Sequence, residues 1–294
     1  MTAGAVVRQV RDVEPGDHLC LPFSEDAEQR EVAAAFITGG LARGERVLYF
    51  TDRRDPETVH SWLPAADLTA ALRSGRLSVR TAEDSYLAGG RFDPDAMVAA
   101  LKEETERSLR DGHAGLRVSG EMSWALRDVP GAEGLEDYER KVAAVFATGL
   151  SSAVCQYDTR RFGPARTRVF TRCHPGVVGM NALHHDGLVR IVPAYQAGHR
   201  TIRVTGTIDQ GNAHGLAAAL QTATGWDGDI HVDLSELEFI DVAGLRTLTL
   251  AAGHLDPARR LRLLHLAPML HDIMHLVGWD REPQLVLTTE ADRP

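Results

Sequence analysis

Short apolar segments alternate with longer amphipathic segments through the first two-thirds of the chain. The apolar segments are rich in β-branched and aromatic residues and lie at residues 18–23, 46–51, 77–81, 115–120 and 153–158. The segments between them have helical spacing and lie at residues 26–41, 55–65, 66–73, 93–110 and 135–150. Because short buried runs separated by helices are typical of parallel strands, the pattern predicts an α/β fold. We expect a mostly parallel sheet with helices on both faces.

A second pattern begins after residues 175–199, where proline and glycine are frequent and mark a domain boundary. The alternative for the short apolar pieces of this segment is that they are edge strands and not a free linker. Strand-like segments at 200–209, 230–234 and 261–266 then alternate with helical segments at 213–223, 242–252 and 268–276. We read the acidic residues 235–238 as a turn. The predicted organisation is an N-terminal tail at 1–13, a first domain at 14–183, a linker at 184–198, a second domain at 199–288 and a C-terminal tail at 289–294.

Composition excludes several classes of protein. The chain has 294 residues, of which 44% are hydrophobic and 25% charged, and its net charge is −9. An acidic chain without a basic run is not expected to bind nucleic acid. No apolar run approaches the roughly 20 residues of a membrane-spanning helix, and the N-terminus lacks a secretory pattern. The cysteines, Cys20, Cys155 and Cys173, are odd in number and widely spaced, so we expect no disulfide framework and a cytoplasmic location.

The segment Asp233–Leu245 (DLSELEFIDVAGL) leads a strand into a helix. Asp241 is a good N-cap, because its carboxylate can accept the free backbone N–H groups of the first helical turn. Together with residues 204–209 (VTGTID) and 261–268 (LRLLHLAP), this segment resembles the STAS domains of anti-sigma factor antagonists over about residues 190–288. The resemblance implies a smaller mixed sheet backed by helices.

In STAS domains of this type a serine or threonine after the aspartate is phosphorylated by a partner kinase. This chain has Val242 and Ala243 at the two corresponding positions. The resemblance implies an anti-sigma factor or another STAS or kinase-type regulatory protein as partner, and it is compatible with a homodimer. It implies a partner-binding surface that comprises Asp209, Ser235, Asp241, Val242, Ala243, Gly244 and Leu245. The alternative is that residues 241–245 only close a strand–helix turn.

Six short motifs in the first domain resemble the MEDS domain, a sensory domain of methanogen and methylotroph regulators. They are residues 18–23 (HLCLPF), 44–52 (GERVLYFTD), 117–124 (RVSGEMSW), 138–139 (YE), 155–158 (CQYD) and 173–175 (CHP). The resemblance implies a ligand-responsive domain with a RecA/KaiC-like fold. Residues 24–30 (SEDAEQR) lack the glycines and lysine of a P-loop and would repel a triphosphate, so ATP hydrolysis by a Walker mechanism is excluded.

Ligands of open parallel sheets bind beyond the carboxyl ends of the strands. The side chains expected there, or on the strands that lead there, form a predicted small-molecule site: His18, Asp52, Arg53, Glu121, Trp124, Tyr157, Asp158 and Arg161. The alternative interpretation is that the carboxylates cap helices and pair with the arginines.

We predict no catalytic residue, no cofactor and no metal. The residue types that could ligate a metal are found at His18, Cys20, Cys155 and Glu121. Cysteine in such strands is usually a small buried hydrophobe, so we do not expect a metal site. We therefore expect a signalling protein that is not an enzyme. The rivals are an enzyme that uses Glu121 or Asp158 as a general base, and a structural adaptor that does not switch.

Overall fold

The computed structural model describes residues 6–288. The chain divides into two compact units, and the division falls between Gly179 and Met180. Within residues 6–288, no helix combines the length and the apolar character that crossing a membrane requires. The predicted C-terminal tail at 289–294 and the first five residues of the predicted N-terminal tail lie outside the described residues. Residues 6–9, which we assigned to the N-terminal tail, form a strand of the first unit.

Seven strands form one sheet in the first unit, and every pairing in it is parallel. They are β1 (Val6–Gln9), β2 (His18–Phe23), β3 (Arg46–Thr51), β4 (Leu77–Thr81), β5 (Leu116–Glu121), β6 (Ser151–Asp158) and β7 (Gly176–Gly179). Their order across the sheet is β1-β7-β2-β6-β5-β3-β4. The predicted parallel sheet is confirmed, and the order places β2 beside β6 although more than a hundred residues separate them.

Six helices cover this sheet: α1 (Asp26–Ala42), α2 (Pro56–His60), α3 (Ala65–Arg73), α4 (Pro94–Arg110), α5 (Leu135–Phe146) and α6 (Thr159–Cys173). Side chains alternate between the faces of a strand. On β3, Val47 and Tyr49 pack with the α1–α3 side, whereas Leu48 and Phe50 belong to the cluster that contains α4 and α5. The expected helices on both faces are therefore confirmed.

Two helix starts show how local sequence sets these elements. Asp93 accepts the backbone N–H groups of Asp95 and Ala96 at 3.1 Å each, and Pro94 occupies the first helical position, as predicted. At α1, by contrast, Glu25 rather than Ser24 is the N-cap residue, and it makes no side-chain cap. The prediction did not include α6, whose course is interrupted by the non-helical Gly163 before Pro164.

Six strands and three helices form the second unit. The strands are β8 (His184–His185), β9 (Val189–Gln196), β10 (His199–Ile208), β11 (Ile230–Ile240), β12 (Leu261–Leu264) and β13 (Leu285–Leu287). The helices are α7 (Ala213–Ala223), α8 (Val242–Gly253) and α9 (Pro268–Leu276). The strand order is β13-β12-β11-β10-β9-β8, with antiparallel pairs at β8–β9 and β9–β10 and parallel pairs elsewhere. This is the expected mixed sheet.

Two parts of the second unit differ from the prediction. The expected linker 184–198 instead contains β8 and β9, and Val189 and Ile191 on β9 are buried in the core of this unit. The expected acidic turn at 235–238 continues β11 as far as Ile240. Its partner β10 shifts register twice along this stretch, which lets the pairing persist past the polar residues.

Candidate functional site

Helix α8 begins at a capped and tightly packed corner in the second unit. The Asp241 carboxylate accepts the backbone N–H of Gly244 at 2.9 Å through Oδ1. Its Oδ2 accepts the backbone N–H of Gln210 at 2.9 Å, which fastens the β10–α7 loop to the start of α8. A Cβ on Gly244 would lie 2.5 Å from Cγ1 of Ile240, so glycine permits α8 to approach β11 closely here.

The residues after Asp241 divide between the surface and the core. The Val242 side chain is 62% exposed, whereas Ala243 packs partly against the core and Leu245 is buried in it. Val242 therefore occupies an accessible position at a helix N-terminus, where a phosphate would be stabilised if the side chain carried a hydroxyl. Thr247, one turn further on, donates its hydroxyl to the carbonyl of Ala243 at 2.9 Å.

An apolar groove of about 400 Å³ opens beside this corner. We call it the Val242 groove; its lining includes Phe239, Asp241, Val242, Leu245, Met269 and Ile273. Phe239 is 54% exposed and Met269 68% exposed. Exposed apolar side chains gathered around a groove are a feature of protein interaction sites.

Ser235 and Asp209 lie outside the lining of the Val242 groove. Ser235 borders a separate, more polar groove of about 760 Å³ with Arg203, Asp233 and His265. Asp209 accepts the backbone N–H of Gly211 at 2.8 Å and so shapes the loop that Asp241 holds. Of the seven residues predicted for partner binding, Asp241, Val242 and Leu245 line the groove. Gly244 is buried and Ala243 packs against the core of this unit.

In the first unit, Glu121 is buried, and both of its carboxylate oxygens accept hydrogen bonds. Its Oε2 accepts the backbone N–H groups of Asp52 and Arg53 at 3.0 and 3.1 Å, and its Oε1 accepts the Tyr49 hydroxyl at 3.2 Å. Burial raises the pKa of this carboxyl, against the lowering effect of these hydrogen bonds and of Arg54. Glu121 therefore ties the loop after β3 to the end of β5.

A network of ion pairs crosses the carboxyl ends of the strands. Asp158 caps α6 through the backbone N–H of Arg160 at 3.1 Å, and it pairs with Arg53 at 3.0 Å. Burial opposes ionisation of Asp158, but Arg160 outweighs it, so the pKa lies below the ordinary value. The network includes Arg160. The predicted Arg161 is exposed and is not among the residues of this network. The alternative interpretation, in which the carboxylates cap helices and pair with arginines, therefore applies to Asp158.

Asp52 and Trp124 take separate positions. The Asp52 carboxylate pairs with Arg127. Trp124 is fully buried and stacks against Tyr86, with ring centroids 5.1 Å apart. The eight side chains predicted for a small-molecule site therefore do not converge: some join the ion-pair network, Trp124 belongs to the core, and His18 and Tyr157 face another cluster. A groove of about 390 Å³ in this unit is lined by residues 85–100 and by none of the eight.

His18 and Tyr157 meet at Glu139, a fully buried carboxylate on α5. The His18 Nε2 atom lies 3.1 Å from Glu139 Oε2, and the His174 Nε2 atom lies 3.4 Å from the same oxygen. Tyr157 donates its hydroxyl to the other oxygen, Oε1. The Cys155 sulfur lies 3.6 Å from Oε2 and 3.5 Å from His18 Nε2. We call His18, Glu139, Cys155 and His174 the buried His–Cys–Glu cluster.

The electrostatics of this cluster follow from burial and mutual contact. Burial opposes ionisation of Glu139, but His174 and His18 together hold its pKa below the ordinary value. Burial lowers the pKa of His18. For His174 the opposing effect of the Glu139 carboxylate prevails over burial, and its pKa is raised. Burial also raises the pKa of the Cys155 thiol well above its usual value.

Sequence reasoning missed Glu139, His174 and Arg160 as site residues. The two short motifs YE at 138–139 and CHP at 173–175 contained the signal for the first two, since both were part of the resemblance to MEDS domains. No periodicity places them beside His18. For Met269 the available signal was an apolar residue in the first turn of the helix that begins at Pro268.

The comparisons with known families match both units. The family model of the MEDS domain, described as methanogen/methylotroph, DcmR sensory domain, matches residues 17–175. The family model described as Mlab, STAS domain matches residues 194–288. The comparison with curated proteins found no match.

Two solved structures are similar to parts of the chain. An anti-sigma factor antagonist from Mycobacterium paratuberculosis is 24% identical, covers 35% of this chain and 89% of its own, and has a TM-score of 0.31. A KaiC-like protein from Pyrococcus horikoshii is 13% identical, covers 65% of this chain and 78% of its own, and has a TM-score of 0.42.

Proposed function

The chain belongs to the MEDS family and carries a STAS domain after its sensory domain, and from this premise we propose that it is a cytoplasmic signalling protein without catalytic activity. Its STAS domain binds an anti-sigma factor or a related STAS or kinase-type regulator. Its MEDS domain responds to a small molecule. The observation that carries the proposal is the Val242 groove, an exposed apolar surface at the start of α8.

The partner contact is not switched by phosphate at the start of α8. Val242 and Ala243 occupy the two positions after Asp241, and neither side chain has a hydroxyl. Val242 instead adds apolar surface to the groove. A partner held there remains bound until another input, which we assign to the MEDS domain, changes the exposure of the groove.

Site-directed photo-crosslinking in the native host tests this assignment. A photoreactive residue at position 242 should capture a sigma-regulatory protein, identified by mass spectrometry. The matched control is position 250, because Leu250 is on the same helix and 50% exposed but does not line the groove. Equal capture at both positions would overturn the docking assignment, and capture of only a second copy of this chain would favour the structural adaptor.

Charge substitutions give an independent measure of the same contact. Val242→Asp and Met269→Asp place a carboxylate in the first turn of a helix, where it does not destabilise the helix. Each should weaken partner binding by at least tenfold, because a charge must be desolvated in an apolar contact. Leu250→Asp is the control and should leave the affinity unchanged; urea unfolding checks that all three variants are folded.

Coupling between the domains rests on their tandem order alone and is tested by limited proteolysis. Candidate ligands added to the full chain should alter cleavage near the junction at Gly179–Met180. Identical cleavage with every ligand tested would count against coupling.

The second candidate function is an enzyme with Glu121 or Asp158 as general base. Its supporting observation is the raised pKa of the buried Glu121, a property that general bases share. Turnover of a metabolite panel by the wild type, lost in Glu121→Gln, would favour the enzyme over the signalling protein.

A further inference from the structure

The buried His–Cys–Glu cluster assembles four potential metal ligands from four different elements. One nitrogen of His18 and of His174, the sulfur of Cys155 and an oxygen of Glu139 all lie within 4.8 Å of one another. All four residues are buried, and Glu139 is 0% exposed. Ligand atoms bound to Zn²⁺ at about 2.0–2.3 Å in a tetrahedron are separated by roughly 3.3–3.8 Å. The contacts of 3.1, 3.4, 3.5 and 3.6 Å between these atoms are close to that spacing.

Neighbouring groups orient two of these ligands as metal sites require. The Nδ1–H of His174 donates to the carbonyl of Phe170 at 2.8 Å, which directs Nε2 toward the cluster. Tyr157 donates to Glu139 Oε1 and leaves Oε2 facing the other three residues. Metal-ligating histidines almost always donate their second ring N–H to a carbonyl or carboxylate, and ligating carboxylates are hydrogen-bonded in turn.

Hydrogen bonding within the protein does not satisfy the cluster. Among the described residues, His174 Nε2 is buried and makes no hydrogen bond, although Glu139 Oε2 lies 3.4 Å away. Three groups converge on the single oxygen Glu139 Oε2. Buried polar atoms without partners require a specific explanation, such as an ion. Two imidazoles, a thiolate and a carboxylate are ligands that suit Zn²⁺.

We propose that the MEDS domain binds one Zn²⁺ ion through His18 Nε2, His174 Nε2, Cys155 Sγ and Glu139 Oε2. Binding displaces the thiol proton of Cys155 and any proton on Nε2 of His18 and of His174, and these protons pass to solvent. Four protein ligands leave no open position, so the ion is structural or regulatory rather than catalytic. It joins β2, β6 and α5 to the residue that ends α6. This inference is independent of the proposed partner binding.

Metal analysis of the full chain tests the proposal. The protein is purified without a metal-affinity tag, freed of loosely bound ions and assayed for metal content. About one equivalent of zinc per chain is expected. Replacement by Co²⁺ should give the absorption of a tetrahedral ion together with a thiolate-to-cobalt charge-transfer band. A folded chain that binds neither ion after either is added would overturn the proposal.

Variants separate the cluster from general effects of cysteine loss. Cys155→Ser should abolish the charge-transfer band, whereas Cys20→Ser should retain it, because the Cys20 thiol faces Thr171 and is not among the ligands. Tyr157→Phe should weaken zinc binding about 10–100-fold through loss of the contact to Glu139. If Cys155→Ser does not fold, the presence or absence of the charge-transfer band in the wild type decides whether the cluster binds the metal. If Cys20→Ser loses the band and Cys155→Ser keeps it, the ligand assignment is refuted.

Discussion

At the scale of single residues, Gly244 is a position where the addition of one methyl group would disturb the packing of α8. An added Cβ would lie 2.5 Å from Ile240 Cγ1 and 2.8 Å from Ile208 Cγ2, both on strands beneath the helix. Overpacking of a core costs about 1–3 kcal/mol. Gly244→Ala should therefore lower the free energy of unfolding of the STAS domain by about that amount, measured by urea denaturation.

Gly253, at the other end of α8, is the control for this substitution. Its nearest neighbours to an added Cβ are the carboxylate atoms of Glu282 at 3.2 Å and beyond, and this flexible side chain can move. Gly253→Ala should be neutral or stabilising because alanine favours the helix. Equal losses for the two variants would mean that the close approach of α8 to β10 and β11 does not explain the destabilisation by Gly244→Ala.

Asp233 gives the STAS domain a predicted dependence on pH. Burial opposes its ionisation, but the hydrogen bonds from Ser235 and His265 outweigh burial, and its pKa is lowered. A carboxyl whose folded pKa is lower than its unfolded value of about 3.9 stabilises the fold above that value. This stabilisation is lost as the pH falls below about 4 toward the folded pKa.

The prediction is checked by urea unfolding between pH 7 and pH 3. Asp233→Asn should be less stable than the wild type at pH 7 and should lose less stability on acidification. Asp227→Asn, at an exposed position, is the matched control. Parallel pH profiles for wild type and Asp233→Asn would show that Asp233 does not contribute to the acid sensitivity.

Residue-level prediction succeeded where the physical cause is local. Asp241 and Asp93 cap helices that begin at the next residue, and the carboxylate and the following residues are all visible in the sequence. The buried His–Cys–Glu cluster shows the opposite case. His18 lies near Cys155 only because β2 pairs with β6, and strand order across a parallel sheet is not encoded in any short segment.

At the scale of elements, the first turn of α8 retains the geometry of a phosphate site. Position 242 is exposed and follows the N-cap, so a phosphoserine there would meet the positive end of the helix. Val242→Ser should accept phosphate from an anti-sigma factor kinase, detected as the mass of one phosphate on the peptide that contains residue 242.

Two comparisons make this result specific. The wild type should carry no phosphate on Ser235 or Thr247 under the same conditions. Leu250→Ser introduces an exposed hydroxyl late in the same helix, away from its positive end, and should not be modified. If the native protein carried phosphate on Ser235 or Thr247 and this phosphate controlled partner binding, our proposal that the partner contact is not regulated by phosphorylation would be wrong.

The second half of β11 and the whole of α6 were not predicted, for different reasons. In β11 the residues Ser235, Glu236 and Glu238 are exposed, and we read this acidic run as a turn although Leu237 packs against the core. The helix α6 contains the non-helical Gly163 before Pro164, and after this interruption it buries Phe170. Polar strands and interrupted helices depend on tertiary packing that local propensity does not record.

At the scale of the whole molecule, the position of the division between the units is itself testable. The fragment 180–294 contains β8 and β9 and should unfold cooperatively on its own. The fragment 199–294, cut at the boundary expected from sequence, lacks them. Each buried Val or Ile contributes about 1.5–3 kcal/mol, so losing Val189 and Ile191 together with the β9–β10 pairing should leave it largely unfolded.

Circular dichroism and urea denaturation of the two fragments measure the difference. The fragment 1–179 serves as a control for the first unit and should be folded. A cooperative transition of equal midpoint for 180–294 and 199–294 would mean that β8 and β9 contribute nothing to the STAS fold.

The pairing of β1 with β7 has a consequence for how such chains can be assembled. Val6 pairs with Gly176 and Gln9 with Gly179, so the first and last strands of the MEDS domain run side by side. Val6 and Gly179 are therefore separated by three residue steps along the strands and one strand spacing across them, roughly 11 Å. A domain with adjacent ends can be inserted into a loop of an unrelated host protein. This domain is therefore suited to the construction of engineered sensors by domain insertion.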